Sequence, residues 1–273
     1  MSNVEYRMSN AITLNEYRMS NAITLNAHHM YLVIDLGNTN KKIAVFSNGL
    51  LHDFTIQSEI RLSTVKSFSE LHSGITHCIL SSVISYPPSI KKFLQEKFFF
   101  IELDEHTPLP LKNLYRSPST LGKDRLAAAV AGHLRFRKNP VLIVNAGTCI
   151  TYDFVTADGE YLGGSISPGL GMRFQALHTF TGKLPLISGK PFANLTGATT
   201  RESILSGVIN GAMAEVEGII DQYHQNYTNL YVIISGGDLK YFDKRLKSQT
   251  FAIPNIVIEG LYQILELNAR KIN

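Results

Sequence analysis

Two stretches of this chain, about 110 residues apart, are written in the same grammar. Tyr31-Leu32-Val33-Ile34 runs into Asp35-Leu36-Gly37-Asn38-Thr39 and then Lys42-Ile43-Ala44-Val45-Phe46. Val141-Leu142-Ile143-Val144 runs into Asn145-Ala146-Gly147-Thr148 and then Cys149-Ile150-Thr151-Tyr152-Asp153-Phe154. Each is an apolar strand, a glycine-containing turn and a second strand, which predicts a hairpin. The unbroken apolar run ahead of each turn predicts a strand buried on both faces. Between the two lies a helical stretch, Asp124 to Phe136, where Leu126, Val130 and Leu134 recur every four residues. Strands alternating with helices predict an α/β protein, and the paired hairpins predict two similar domains facing each other across a cleft.

The 273 residues are enough for two domains of ~100–150 residues. At 44% hydrophobic and 18% charged, the composition excludes a disordered or fibrous chain. The net charge is only +4, and the basic groups (Lys41-Lys42, Lys91-Lys92, Arg135 to Lys138, Lys240 to Lys247) are scattered without interleaved aromatics. That pattern predicts no nucleic-acid partner. No apolar run approaches the ~18 residues of a membrane span, so no membrane partner is expected. Cys78 and Cys149 form no CxxC and no metal-ligand spacing. They suit a reducing compartment, and a cytoplasmic location is expected.

The N-terminal segment stands apart. Glu5–Asn15 and Glu16–Asn26 are the same eleven letters, EYRMSNAITLN. One perfect copy is too few for a solenoid, and the segment lacks the charged start and apolar stretch of a signal peptide. Residues 1–29 are therefore expected to lie outside the fold, with His28-His29 exposed, and domains are expected over 30–140 and 141–273.

Four segments can carry chemistry. The glycine turns at 37 and 147 let backbone N–H groups approach a phosphate, with Thr39 or Thr148 adding a hydroxyl. Asp35 suits a hydrated magnesium ion, and Lys42 supplies a point charge. The plainer alternative is that these are simple hairpin turns. Asp124 and Arg125 stand at the mouth of the Leu126–Leu134 helix. Asp124 is either the helix N-cap or a proton acceptor, and Arg125 can clamp an anion bidentately. Gly163 to Gly169 reads as a Gly/Pro-rich turn, lining a cleft or merely connecting. Gly236-Gly237, after the apolar run Tyr231 to Ile234, either lets a flat ligand lie on the backbone or opens a helix capped by Asp238. Thr199 and Glu202 fit a capping box that opens a long helix from Thr200 towards Tyr223. Its face of Ile204, Val208, Ala212 and Val216 is core or subunit interface. GxxxxGK[ST] and GxGxxG phosphate motifs do not occur.

In this order the motifs resemble the type III pantothenate kinases of the actin/hexokinase/Hsp70-like superfamily. The resemblance rests on Asp35-x-Gly37-Asn38-Thr39 with Lys42, Tyr115, Gly122-x-Asp124-Arg125, Gly147-Thr148-x-x-Thr151, Gly163-Gly164-x-Ile166-x-Pro168-Gly169, Leu184-Pro185 and Gly236-Gly237. It covers nearly all of residues 30–273. It implies two actin/ribonuclease-H-like domains around a nucleotide cleft and ATP-dependent phosphorylation of pantothenate, the first step of coenzyme A synthesis. It also implies Mg2+ with ATP, a monovalent cation (K+ or NH4+) and a homodimer. By motif, Asp124 is the general base. Tyr115, Gly122, Lys123, Asp124 and Arg125 bind pantothenate, and Thr200 reaches into the partner's site. Asp35, Leu36, Gly37, Asn38, Thr39, Asn40, Lys41 and Lys42 handle phosphate, and Gly147, Thr148, Gly236 and Gly237 line the nucleotide. Asp35 and Asn145 stand at the metal.

The family carries Asp where this chain has Asn145. The change keeps an oxygen ligand and loses a negative charge. It leaves open an alternative in which the chain keeps the fold and ligand site as a regulator with little or no kinase activity. Lys42, Asp124 and Arg125, all retained, argue for the enzyme.

Overall fold

A computed structural model describes residues 29–188 and 193–270. The repeated segment 1–28 lies outside the described residues, so the expectation for the leader is not addressed by them.

The first half is a five-stranded sheet in the order β3-β2-β1-β4-β5, formed by β1 (Met30–Leu36), β2 (Lys41–Ser47), β3 (Leu50–Gln57), β4 (Ile75–Ser82) and β5 (Phe99–Glu102). Helices α1 (Leu62–Glu70) and α2 (Pro88–Lys97) connect its later strands. The second half is a six-stranded sheet in the order β11-β10-β7-β8-β9-β6. Its strands are β6 (Lys112–Asn113), β7 (Val141–Ala146), β8 (Cys149–Val155), β9 (Glu160–Pro168), β10 (Tyr231–Ser235) and β11 (Phe251–Ala252). Set β6 aside and the two halves share one plan. The first strand pairs antiparallel with the second, the second antiparallel with the third, and the first parallel with the fourth. The repeated grammar of the sequence is thus a repeated topology.

Continuous apolar runs make the central strands because both faces are covered. Leu32 and Ile34 of β1 enter a core beneath α1 and α2, whereas Val33 enters a larger core around α3 (Lys123–Arg135) and α7 (Ile256–Ala269). Helix α3 is buried from Leu126 to Gly132. Its run of alanines lets it pack closely between α7 and both sheets, which fixes where its first turn, with Asp124 and Arg125, must sit.

Helix α4 (Leu170–Thr179) and the long α5 (Thr200–Asn226) cover the other face of the second sheet. Ile204, Val208, Ala212 and Val216 are buried there, so that stripe is core within the chain. Helix α5 is long and apolar enough to cross a membrane by length and composition, and 44% of that apolar stretch is buried inside the protein. The N-cap half of the capping box forms, with Glu202 N donating to Thr199 Oγ1 at 3.2 Å, while the Glu202 carboxylate accepts from Ala198 N, one residue before the cap, at 2.8 Å. A single short turn, α6 (Leu239–Phe242), follows β10.

Two expectations are corrected. Gly163 to Pro168 is not a turn but the body of β9, paired antiparallel with β8 from Cys149↔Pro168 to Val155↔Tyr161. Pairing along the whole of β8 overrides the local turn preference of glycine and proline. His29 is only partly exposed: its Nδ1 lies 3.2 Å from Thr76 Oγ1 and its ring meets His77 edge-on.

Candidate active site

Each glycine turn joins the first antiparallel pair of its half, β1 to β2 and β7 to β8, inside its sheet. In the first, Gly37 N donates to Asn40 O at 3.1 Å, closing the turn between β1 and β2. Asp35 and Lys42 face each other in the β1–β2 register, as do Leu36 and Lys41. The Leu36 side chain is core, so only its backbone borders the turn, and Lys41 Nζ folds back onto Asn38 O at 3.0 Å. In the second, Gly147 N donates to Cys149 O at 2.9 Å, and Gly169 N, at the start of α4, donates to Thr148 O at 3.1 Å. The turns meet directly: Thr39 Oγ1 lies 2.9 Å from Thr148 Oγ1, both residues exposed.

The first turn of α3 supplies the charged groups. Gly122 occupies the N-cap position, and no side-chain cap bond forms. The Asp124 carboxylate is therefore not spent on capping its own helix. Arg125, next along, turns into the protein and is 5% exposed. Its Nε donates to Asp153 Oδ1 at 2.9 Å, and its Nη2 lies 2.7 Å from the same oxygen. Tyr161 also donates its hydroxyl to Asp153 Oδ1, at 2.7 Å. The Tyr115 ring stands 5.8 Å from the guanidinium carbon. Tyr115 fits because Gly163 has no side chain: a Cβ there would lie 2.7 Å from its ring.

Electrostatics tie these pieces together. Burial pushes the Asp35 carboxyl up to about 7, with Lys42 pulling it down and Asp124 adding to the rise. Asp35 and Asp124 thus share one field across the cleft. Burial also raises Asp153, against the pull of Arg125 and Tyr161. Burial works against the Arg125 charge, but Asp153 more than offsets it and holds its pKa up.

The second glycine pair packs against the second turn. Gly236 has φ +97°, a Cβ there would lie 2.1 Å from Ala146 O, and Asp238 N donates to that same oxygen at 3.0 Å. Gly237 is exposed with nothing near it. Asp238 stands at the N-cap of α6 without making a cap bond. Beside it a cavity of about 500 Å³ is lined by Leu170, Phe174, Ile187, Asp238 and Tyr241. Its apolar walls and single carboxylate suit a flat heterocycle.

The structure brings together Asp35, Lys42, Thr39, Gly147, Thr148, Asp124, Arg125 and Tyr115, with Gly236-Gly237 against the second turn. Asn145 sits half-buried at the end of β7, opposite Thr151 of β8 and Ser235 of β10. Lys123 pairs with Glu105 at 3.5 Å. Thr200 opens α5 on the surface, and no hydrogen bond joins it to Asp124, Arg125 or Tyr115. Sequence reasoning missed Asp153, Tyr161 and the cavity residues. One signal was present for Asp153, an acid inside a strand otherwise written for burial, which requires a partner. Two facing turns, an acceptor carboxylate at a helix start and a fixed guanidinium are the parts needed to pass a phosphoryl group to a hydroxyl of a small anion.

Residues 31–222 match the family model for type III pantothenate kinase. The type III pantothenate kinase of Christiangramia forsetii is 44% identical over 238 residues, 87% of this chain and 98% of that protein. The one from Phocaeicola vulgatus is 42% identical over 238 residues, with the same coverage. Among solved structures, a protein described as a Baf family transcriptional activator from Campylobacter jejuni aligns with a TM-score of 0.56 at 19% identity, over 88% of this chain and 99% of that one. The ethanolamine utilization protein EutJ from Carboxydothermus hydrogenoformans aligns at 0.50 and 13% identity, over 97% and 100%. At those identities the structural likeness speaks to the fold alone.

Proposed function

The chain belongs to the type III pantothenate kinase family, has the two-domain actin-like fold and phosphorylates pantothenate in coenzyme A biosynthesis; within that reaction we propose that Asp124 takes the proton from the acceptor hydroxyl and Arg125 receives the substrate carboxylate. The observation that carries this reading is the first turn of α3. It sets Asp124 in the field of Asp35 and Arg125 against Asp153, so adjacent residues face the two ends of one small hydroxy acid.

ATP lies with its phosphates between the turns of Thr39 and Thr148, and its base enters the cavity beside Gly236-Gly237 and Asp238. Lys42 sits next to the γ-phosphate as a point charge. The pantothenate hydroxyl oxygen attacks the γ-phosphorus, its proton passes to Asp124, and the bond to the β–γ bridging oxygen breaks to release ADP. Asp124 need not be a strong base, because positioning and charge neutralisation dominate phosphoryl transfer. Tyr115 packs on the substrate side of Arg125, and Gly122 and Lys123 complete that wall.

The kinase reaction requires a divalent metal, and Asp35 fits one. Among the described residues its buried carboxylate has no hydrogen-bonded or ion-paired partner, and a bound cation would add to the pull of Lys42 on the charged form that burial suppresses. No three His, Cys, Asp or Glu converge among the described residues. A hydrated Mg2+ bound through Asp35, Asn145 and the phosphates fits that donor set better than a cation needing an all-protein cage. When bound, it neutralises charge on the transferring phosphate. A monovalent cation (K+ or NH4+) adds to this, a homodimer brings Thr200 to the partner's substrate, and the protein works in the cytoplasm.

The test is ADP release from ATP and Mg2+, with and without pantothenate and K+. Release that requires pantothenate supports the reading. Pantothenate that shifts the melting temperature without turnover overturns it and leaves a binding protein.

A further inference from the structure

We propose that Asp153 is the positioning residue of the pantothenate site, holding the Arg125 guanidinium in the orientation that presents it to the substrate carboxylate. The inference rests on the reading of Arg125 as the carboxylate's partner. Asp153 is 0% exposed, the sole acid in a strand whose neighbours are core, and it takes hydrogen bonds from Arg125 and Tyr161.

Its Oδ1 gathers the nearby donors: Arg125 Nε at 2.9 Å, the Tyr161 hydroxyl at 2.7 Å and Arg125 Nη2 at 2.7 Å. Nε and Nη2 are thereby held against one carboxylate oxygen, which fixes the plane of the guanidinium beside Tyr115. Tyr161 fixes Asp153 in turn, so the chain of constraint runs from β9 through β8 to α3.

A buried ion pair is a poor way to stabilise a fold, because desolvating two charges cancels most of their attraction, and an apolar pair of equal volume serves as well or better. This pair moreover is left incomplete. Asp153 Oδ2 and Thr151 Oγ1 are two of the six buried side-chain polar atoms that lack a well-directed partner among the described residues. Thr151 and Asp153 share one face of β8, so these unspent groups lie in a single patch. Because Asp153 largely offsets the guanidinium charge, selection of the substrate falls to hydrogen-bond direction, which Asp153 sets.

The experiment compares pantothenate with its primary-alcohol analogue, pantothenol, which keeps the phosphorylated hydroxyl and lacks the carboxylate. Asp153→Asn is expected to raise the KM for pantothenate roughly tenfold or more, the effect of loosening one charge-assisted bond. It should leave the KM for ATP and the kcat/KM for pantothenol near wild type. An unchanged pantothenate KM, or an equal loss with both acceptors, overturns the proposal. Should Asp153→Asn lack a cooperative thermal transition, Tyr161→Phe, which removes one donor to Asp153 and keeps the ion pair, carries the same selective signature at a smaller size. Its absence there is equally fatal. Arg125→Ala separates the two ideas. If Arg125→Ala still prefers pantothenate to pantothenol, the carboxylate reading itself fails; if it loses the preference while Asp153→Asn keeps it, only the positioning role fails.

Discussion

Thr39 Oγ1 and Thr148 Oγ1 are 2.9 Å apart, although 109 residues separate them in the chain. This contact joins the glycine turns of the two halves, between which the phosphates of ATP are proposed to lie. On that proposal a nucleotide replaces one hydroxyl–hydroxyl bond with bonds from both hydroxyls to phosphate oxygens. Thr148→Val, which keeps the shape and removes the donor, is expected to raise the KM for ATP about three- to tenfold. Because the side chain is exposed, stability should change by less than about 0.5 kcal/mol. Steady-state kinetics at saturating pantothenate, beside a thermal melt, check this.

Asp124 makes no cap bond to its own helix, so a change there subtracts little from the fold. Asp124→Asn preserves the volume and removes the proton acceptor. Turnover should fall by roughly 10²–10⁴ while ATP still binds. Single-turnover ADP formation together with nucleotide titration separates the two effects. Near-normal turnover would remove Asp124 from the proton transfer.

Asp35 couples the site to pH. Its carboxyl is raised by burial to about 7 from an ordinary 3.8. Between those values the folded protein holds a proton that the unfolded chain has released. The stabilisation is complete below about pH 4 and is lost as pH rises through about 7, amounting to at most on the order of 4 kcal/mol. In the metal-free protein the wild type should lose stability from pH 5 to pH 8 relative to Asp35→Asn, which has no charge to bury. Denaturant melts at the two pH values give the difference. Equal slopes would mean that Asp35 is ionised throughout.

How much of this was legible in sequence follows from the range of each interaction. The twin turns were legible because burial on both faces writes β1 and β7 as unbroken apolar runs. The start of α5 was legible because Thr199 and Glu202 are three residues apart and the Thr199 hydroxyl caps the Glu202 N–H. Helix α3 announced itself by its four-residue spacing. The Arg125–Asp153 pair was not legible, since 28 residues and a change of element separate the partners. Strand β9 misled for the opposite reason: its glycines and proline signal a turn locally, and the pairing with β8 decides otherwise. One of those glycines makes room for Tyr115, so the same residues that obscured the strand help shape the site.

The two glycines after β10 invite opposite expectations. Gly236 has φ +97°, and a Cβ there would lie 2.1 Å from the Ala146 carbonyl oxygen. Gly236→Ala must therefore strain the backbone and push the second turn outward. It should cost at least about 2 kcal/mol and weaken ATP binding with it. Gly237 is exposed, and a Cβ there meets nothing within 4 Å. Gly237→Ala should melt like the wild type, yet raise the KM for ATP severalfold because its methyl group occupies the surface on which the nucleotide lies. Melting temperatures and ATP kinetics on the pair decide the matter. If Gly237→Ala leaves the KM for ATP unchanged, the nucleotide does not rest on this turn, and the cavity beside Asp238 loses its assignment as the base site.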